Sequence, residues 1–379
     1  ALLPADFVAC APLLDRKKSK PRYLEKIKTE KAHKIISDYS KTILKLLSSP
    51  NIASKHWVFR QYDHEVGIRT VIKPGFDASV LRLDNGKFLS VKIDGNPKHC
   101  YLNPRDGAIG CFEEACRNVV CTGATPIGMV DHLQFGSPED PEIFWTFMES
   151  LEGLTDFAKF LKVPCVGGKV SFYNETPSGP IKPTPLIGVL GIINKTPLHM
   201  VSPKSGDYLI IVGDTKDELG GSEYFEYIHN FIGGICPRVD FKNSKLNMSS
   251  VLSLIKQDLI KSVHDCSKGG LSIALSEISI FGNIGCDIDI GKLPSEKNFN
   301  PEELLFSETH SRYLLVISQK NLNKVKHILS KKKNSFGVLG RFGSDQISIK
   351  QKSNTLVRIS VNVAQRKYFN TLKEILDNG

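Results

Sequence analysis

Asp140-Pro141 opens the stretch that most restricts how this chain can fold. Asp is a good N-cap and Pro fits a first helical turn. Ile143, Phe144, Phe147, Met148, Leu151, Leu154 and Ala158 then recur at helical spacing as far as Lys162. Residues 125–133 before it read as a strand ending in Asp131. After it, Pro164-Cys165-Val166 leads to Gly167, Gly168, Lys169 and Ser171. A strand, a helix and a strand predict a parallel pair joined by a crossover. Asp131 and residues 167–171 are therefore expected at neighbouring strand ends, facing one ligand.

Two glycines at a strand end let the backbone approach an anion and expose successive N–H groups to it. The spacing is neither a Walker A loop nor Gly-x-Gly-x-x-Gly, and an ordinary tight turn is the competing reading. A carboxylate beside a phosphate cradle holds magnesium or hydrogen-bonds a nucleotide, whereas a lone loop aspartate caps a turn.

The 379 residues, 41% hydrophobic and 24% charged, suit a globular protein of two domains. The longest apolar run, residues 186–193, contains two glycines and is too short to span a bilayer. Nine cysteines without a Cys-x-x-Cys pair predict reduced thiols in a cytoplasmic protein. Cys111, Cys116 and Cys121, five apart on one helix, point in different directions and cannot share a metal. The net charge of +10 comes largely from lysine-rich segments such as 16–34 and 331–333. No aromatic-interleaved or helix-turn-helix pattern accompanies it, which argues against nucleic acid and for anionic metabolites. The first residues lack both Met and a signal-peptide layout, and read as the middle of something longer.

Elsewhere, residues 23–49 read as one helix through Ile35, Ile36, Tyr39, Ile43, Leu44 and Leu47. Strands over 79–83 and 87–93 flank Asp84-Asn85-Gly86, a hairpin signal, and place Asp94 at a strand end. A helix over 109–121 closes at Gly123, and a strand covers 184–193. The loop 202–207 marks a domain boundary. Beyond it come a strand at 208–212 and His264-Asp265-Cys266-Ser267-Lys268-Gly269-Gly270 leading into a helix. The two glycines there are expected to leave amides free for an anion. His264 and Asp265 read either as a general-base pair or as a hydrogen-bonded turn. A strand at 313–317, a helix at 321–329, a glycine-rich turn at 337–343, a strand at 357–363 and a helix at 365–376 complete the chain.

Several longer motifs carry a resemblance. They are Ser49-Pro50-Asn51-Ile52-Ala53-Ser54-Lys55, Arg60-Gln61-Tyr62-Asp63, Ala115-Cys116-Arg117-Asn118-Val119-Val120-Cys121-Thr122-Gly123-Ala124, Phe135-Gly136-Ser137-Pro138-Glu139, the run from Gly167 to Glu175, and Pro183-Thr184-Pro185. Together they resemble the phosphoribosylformylglycinamidine synthases, purine-pathway ligases of the superfamily shared with aminoimidazole ribonucleotide synthase. That family carries two tandem copies of an N-type and an A-type domain, and this chain is similar to the C-terminal half. The implied class is α/β (α+β): an N-type half-barrel sheet domain with covering helices, then an A-type α/β sandwich. The implied division is 1–23 as the tail of a preceding A-type domain, 24–60 as linker helix and lead-in, 61–200 as the N-type and 201–379 as the A-type domain.

The resemblance implies ATP-dependent conversion of formylglycinamide ribonucleotide to its amidine, with Mg²⁺ and with ammonia from a glutaminase subunit. It also implies a small accessory subunit and dependence on the N-terminal half of the same enzyme. No catalytic residue is assigned to this half. Asp131 and Gly168 correspond to ATP contacts, Ser171 to a substrate contact, and Lys169 to a site usually held by a magnesium-binding asparagine. An ammonium cannot ligate Mg²⁺, so either that metal is held by fewer protein ligands or, as is favoured here, Lys169 pairs with phosphate. Asp94 and Asn118 would line an auxiliary nucleotide pocket. Ser54-Lys55-His56-Trp57 stands where the first copy has Ser-Glu-His-Cys, and His56 is kept as a chemical candidate. The alternative function is a non-catalytic half that binds an auxiliary nucleotide and docks partner subunits.

Overall fold

The computed structural model describes residues 4, 10, 14–29, 36–199 and 203–377. It is a mixed α/β structure built on two sheets. The first comprises β1 (Thr70–Ile72), β2 (Ser79–Arg82), β3 (Phe88–Asp94), β4 (Thr125–Gln134), β5 (Cys165–Ser171) and, after the small hairpin β6 (Glu175–Thr176) and β7 (Gly179–Pro180), β8 (Thr184–Ile193). Its order is β1-β2-β3-β8-β4-β5. Only β4 and β5 run parallel, joined by the crossover helix Pro141–Leu161. Asp140 caps that helix by accepting from the Glu142 amide, and Lys162 ends it in the left-handed conformation. Gly86, at φ +78°, turns the β2–β3 hairpin.

One face of this sheet lies under the helices Pro104–Cys121 and Pro141–Leu161, where Met129, Leu133, Ile187 and Val189 pack with Phe112, Phe147 and Phe157. The opposite face has no cover among the described residues. On it Ile93 is 65% and Val130 40% exposed.

The second sheet takes the order β10-β12-β9-β13-β11-β14-β15. These are β9 (Tyr208–Val212), β10 (Ser262–Asp265), β11 (Cys286–Asp289), β12 (Tyr313–Ile317), β13 (Phe336–Phe342), β14 (Gln346–Gln351) and β15 (Asn354–Ser360). Its strands β9 and β12 are apolar at every position because both faces are covered. Ile210, Val212, Leu315 and Ile317 join the first core, while Leu209, Ile211, Leu314 and Val316 face a second one. Residues from the helices Phe241–Lys256 and Leu322–Lys331 enter the first core, and residues from Gly270–Gly282, Val361–Asp377 and Tyr39–Leu47 the second.

Several sequence expectations are corrected. The single helix over 23–49 is two, Tyr23–Thr29 and Tyr39–Leu47. Asp38 starts the second by accepting from the Lys41 amide at 3.0 Å, and Ile35 lies outside the described residues. The helix expected from 109 begins at Pro104 behind the cap Asn103, since Pro at the first position costs no hydrogen bond. Residues 337–343 form no glycine-rich turn but lie mostly in β13. There a Cβ on Gly340 would sit 1.9 Å from the Asp287 carbonyl oxygen, so the glycine serves a close strand contact. The last strand and helix each begin a few residues before the expected positions.

Gly167 and Gly168 form no turn either. Both lie within β5, and neither has a positive φ. Asp131 stands inside β4, which continues to Gln134.

Candidate functional site

The helix Pro104–Cys121 is the element that builds the site. Asn103 caps it by accepting from the Asp106 amide. It lies between the first sheet and the second domain, so its polar Glu113, Glu114, Arg117 and Asn118 are buried along with its apolar residues. Buried charge must be paired. Arg117 bonds Glu113 one turn back, and its other terminal nitrogen donates to Asp265 Oδ2 at 3.2 Å. Asn118 Nδ2 donates to the same oxygen at 3.2 Å and reaches Asp94 Oδ2 at 3.4 Å. Lys268 Nζ stands 3.8 Å from Glu114 Oε1.

Asp94, Asn118 and Asp265 form the floor of a cleft of about 510 Å³ between the two sheet domains, also lined by Lys55, Asp77, Lys92, His264, Ser267 and Glu277, with Phe59, Phe76, Phe281 and Tyr368 at its sides. Burial pushes the Asp94 carboxyl up to about 7, against the opposing pull of Lys92. Burial also works to raise Glu114, but Lys268, Arg117 and Lys92 together hold it below the usual carboxylate range. Burial lowers Lys55 to about 8, while its ammonium donates to the Asn51 carbonyl at 3.1 Å. The cleft and its floor thus combine hard oxygen donors with three lysines, a set suited to a divalent cation and an oxyanion.

His264 is held between two carboxylates, Nδ1 at 2.8 Å from Asp77 Oδ1 and Nε2 at 3.0 Å from Glu277 Oε2. Burial disfavours its charge, yet the two acids outweigh that and hold its pKa well above the ordinary value. Asp77, His264 and Asp265 each offer an atom within 4.8 Å of the others. An imidazolium with both nitrogens engaged is nevertheless a brace between the domains and not a metal ligand. Neither the base nor the turn reading holds for His264, which sits in strand β10. The amides expected to be free at Gly269-Gly270 are both taken as well: Gly269 N donates to Glu308 Oε1 at 2.8 Å and Gly270 N to the Ser267 carbonyl at 2.9 Å.

The second group of candidates lies on β4 and β5. Asp131 pairs with Gly168 in register, and a Cβ on Gly168 would stand 2.5 Å from Asp131 Oδ1. The glycine makes room for the carboxylate. Cys165 Sγ donates to Asp131 Oδ2 at 3.4 Å. Strand alternation then sets Lys169 and Ser171, paired with His132 and Gln134, on the opposite face. The four residues expected to face one ligand are therefore divided two and two. Lys169 is exposed and makes no ion pair among the described residues. Ser171 is tied down by Asn174, whose Nδ2 donates to the Ser171 carbonyl at 2.8 Å and to the Phe135 carbonyl at 3.0 Å. Tyr173, at φ +63°, donates from its hydroxyl to Glu139 Oε1 at 2.8 Å, so the 135–139 and 171–175 motifs form one rigid corner.

Asp94 and Asn118 are brought together in the cleft. His56 is exposed in the short helix His56–Phe59 and does not line the cleft. Sequence reasoning missed Asp77, Lys92, Glu114 and Glu277, and gave Lys55 no role. No local pattern marks Asp77, whose partner His264 is 187 residues away.

The AIR synthase related protein N-terminal domain model matches residues 75–193. The C-terminal domain model of the same proteins matches residues 204–351. A phosphoribosylformylglycinamidine synthase subunit PurL from Thermococcus sibiricus is 41% identical over 375 residues, covering 99% of this chain and 51% of the relative. The chain thus spans about half the length of the curated relatives it matches. Among solved structures, T. maritima PurL complexed with FGAR superposes with a TM-score of 0.72 at 19% identity, covering 86% of this chain and 53% of that one. T. maritima PurL complexed with ATP gives 0.65 at 20% identity, covering 76% and 46%. With the two models matching in tandem on either side of the loop before β9, the chain belongs to the AIR synthase related proteins.

Proposed function

We propose that this chain is the C-terminal half of a phosphoribosylformylglycinamidine synthase. The 41% identity to a PurL subunit over nearly the whole chain carries this reading. Residues 61–200 act as the second N-type domain and 201–379 as the second A-type domain, after a tail (1–23) and a linker (24–60). In the reaction, the γ-phosphoryl group of ATP passes to the amide oxygen of formylglycinamide ribonucleotide. Ammonia from a glutaminase subunit then adds to that carbon, phosphate leaves, and the amidine remains. The N-terminal half and a small accessory subunit complete the assembly, in the cytoplasm.

Within this chain the β4–β5 edge contributes to the ATP site. Asp131, seated over Gly168, accepts hydrogen bonds from the nucleotide or from Mg²⁺-bound water. Lys169, on the other face with Ser171, supplies a fixed positive charge for the phosphate of a nucleotide that wraps the free edge of β5, at the position the family usually gives to a metal-binding asparagine. Its ammonium makes no ion pair among the described residues. Ser171 contacts substrate from the corner that Asn174 holds. Mg²⁺ would supply charge neutralisation at the transferring phosphoryl group.

The decisive experiment measures ADP release dependent on formylglycinamide ribonucleotide and ammonia, by the chain alone and after mixing with the N-terminal half. Activity only on mixing, reduced about a hundredfold in Asp131→Ala, supports the reading. Full turnover in both Asp131→Ala and Ser171→Ala would remove these residues from the site.

The cleft favours a second, compatible role. Asp94, Asn118 and Asp265 offer oxygen ligands beside Lys55 and Lys92, in a volume that accepts a nucleotide. On this reading the half holds an auxiliary nucleotide with Mg²⁺ as a structural element. Calorimetric titration of ADP with and without Mg²⁺ tests it: loss of binding in Asp94→Ala supports the role, and the absence of any ADP binding by the wild-type chain overturns it.

A further inference from the structure

A second polar recess, of about 150 Å³, shares no lining residue with the cleft. It lies where the ends of β9 and β13 approach the start of the helix Phe241–Lys256, and Lys216, Arg238 and Lys333 line it. Arg238 shares its charge with Asp106 at 3.3 Å. Lys216 and Lys333 make no ion pair among the described residues. The two acids at its wall keep their charge but are oriented by neutral donors and not by the lysines: Asp214 accepts from the Ser335 hydroxyl, and Asp240 accepts from the Asn243 amide at 3.0 Å as helix cap.

The floor is rigid. Ser250 donates to Asn334 at 2.8 Å, Asn334 to Asn247 at 2.8 Å, and Asn247 to the Ser311 carbonyl at 3.0 Å. Buried Arg312 staples the same loop, donating to the Thr309 carbonyl at 2.9 Å and the Ser307 carbonyl at 2.6 Å. Ser311 is thereby held at φ +65°, a conformation costly for a non-glycine residue. Its hydroxyl is buried and makes no hydrogen bond of ordinary length, although the Glu113 carboxylate lies on its side. A buried hydroxyl without a hydrogen bond of ordinary length, two ammonium groups that make no ion pair among the described residues, and a pre-ordered wall have no structural need of one another. They do suit a tetrahedral oxyanion. The recess has room for about five water molecules' share of liquid volume, which fits a phosphate group and is too small for a nucleotide.

We propose that this recess binds the phosphate group of a phosphate monoester, with Lys216 and Lys333 as its charged partners and the 309–311 loop as its neutral donors. The site is independent of the nucleotide reading of the cleft. Calorimetric titration of the whole chain with inorganic phosphate tests it, together with a selenate soak that locates the anion by its anomalous signal. The Lys216→Gln, Lys333→Gln double variant is expected to melt like the parent without phosphate and to bind phosphate at least about tenfold more weakly. Lys55→Gln, in the cleft, is expected to leave that affinity unchanged, and selenate should lie beside Ser311. The proposal fails if the parent binds no phosphate, if Lys55→Gln is the variant that loses it, or if selenate occupies only the cleft.

Discussion

The cleft and the β4–β5 edge present two opposite ways of placing charge. In the cleft almost every charge finds its partner inside the chain: Arg117 with Glu113 and Asp265, His264 with Asp77 and Glu277, Lys268 with Glu114. At the edge Lys169 is exposed and makes no ion pair among the described residues, Asp131 leans on a glycine, and apolar Val130 and Ile93 face outward on the side of the sheet that Lys169 occupies. The cleft's arrangement stands by itself and braces two domains. The edge's arrangement is complete only when something else covers the sheet. A structural site and a contributed site are thus distinguishable within one chain, by whether the partners of its charges are internal.

That contrast breaks most readily at Arg117. Truncation to Ala leaves Glu113 and Asp265 as buried, unpaired carboxylates, and is expected to cost about 3–5 kcal/mol of stability. Urea denaturation of the parent and variant measures it. A loss below about 1 kcal/mol, the level of an exposed pair, would mean that the cleft charges are solvated and that the contrast with the edge is false.

Next in size is the pH response of Asp94. Its carboxyl is raised by burial from 3.8 to about 7, so between those values the folded chain holds a proton that the unfolded chain has released. Stability therefore falls as pH rises from about 4 to about 7 and levels off above, by an amount on the order of 2–4 kcal/mol. Asp94→Asn removes that loss, and its melting temperature relative to the parent should climb over the same window. Mg²⁺ should flatten the parent's curve if the cleft takes a cation. A difference between parent and variant that does not change with pH would place Asp94 in contact with solvent.

The edge is probed by Lys169→Asn, which exchanges a fixed charge for a neutral oxygen donor. Stability should stay within about 0.5 kcal/mol, as for surface substitutions. In the mixed enzyme, KM for ATP should rise several-fold at limiting Mg²⁺ and recover at high Mg²⁺. A change in stability larger than that in KM would reverse the assignment of roles to the two regions.

How far these regions could be read in advance follows from their chemistry. The helix Pro141–Leu161 and the strands β8, β9 and β12 carry their burial in periodic or continuous apolar letters, and the sequence expectation for each lies within a residue or two of the structure. Gly167-Gly168 misled because a glycine that yields space to a neighbouring side chain has the same letter as one that turns the chain. The division of Asp131 from Lys169 and Ser171 follows from pleat alternation once the segment is known to be strand. The cleft was hidden for another reason. Its members come from β3, the helix Pro104–Cys121, β10 and the segment before β2, and nothing in the spacing of Asp77, Asp94, Asn118 and Asp265 announces that they meet. Asp94 and Asn118 were reached through resemblance alone.

His56 gives the smallest expected effect and the sharpest control. It follows Lys55, which lines the cleft, but its own side chain is exposed and stacks edge-on against Phe59 at 5.3 Å between ring centroids. With no acid or hydroxyl bonded to its ring among the described residues, the imidazole has no means of moving a proton at either region. His56→Ala should therefore leave stability within about 0.5 kcal/mol, and leave both turnover on mixing and ADP binding unchanged. Loss of turnover with ADP binding intact would show that His56 reaches across to the site formed with the other half, and would move the catalytic boundary from the β4–β5 edge to the rim of the cleft.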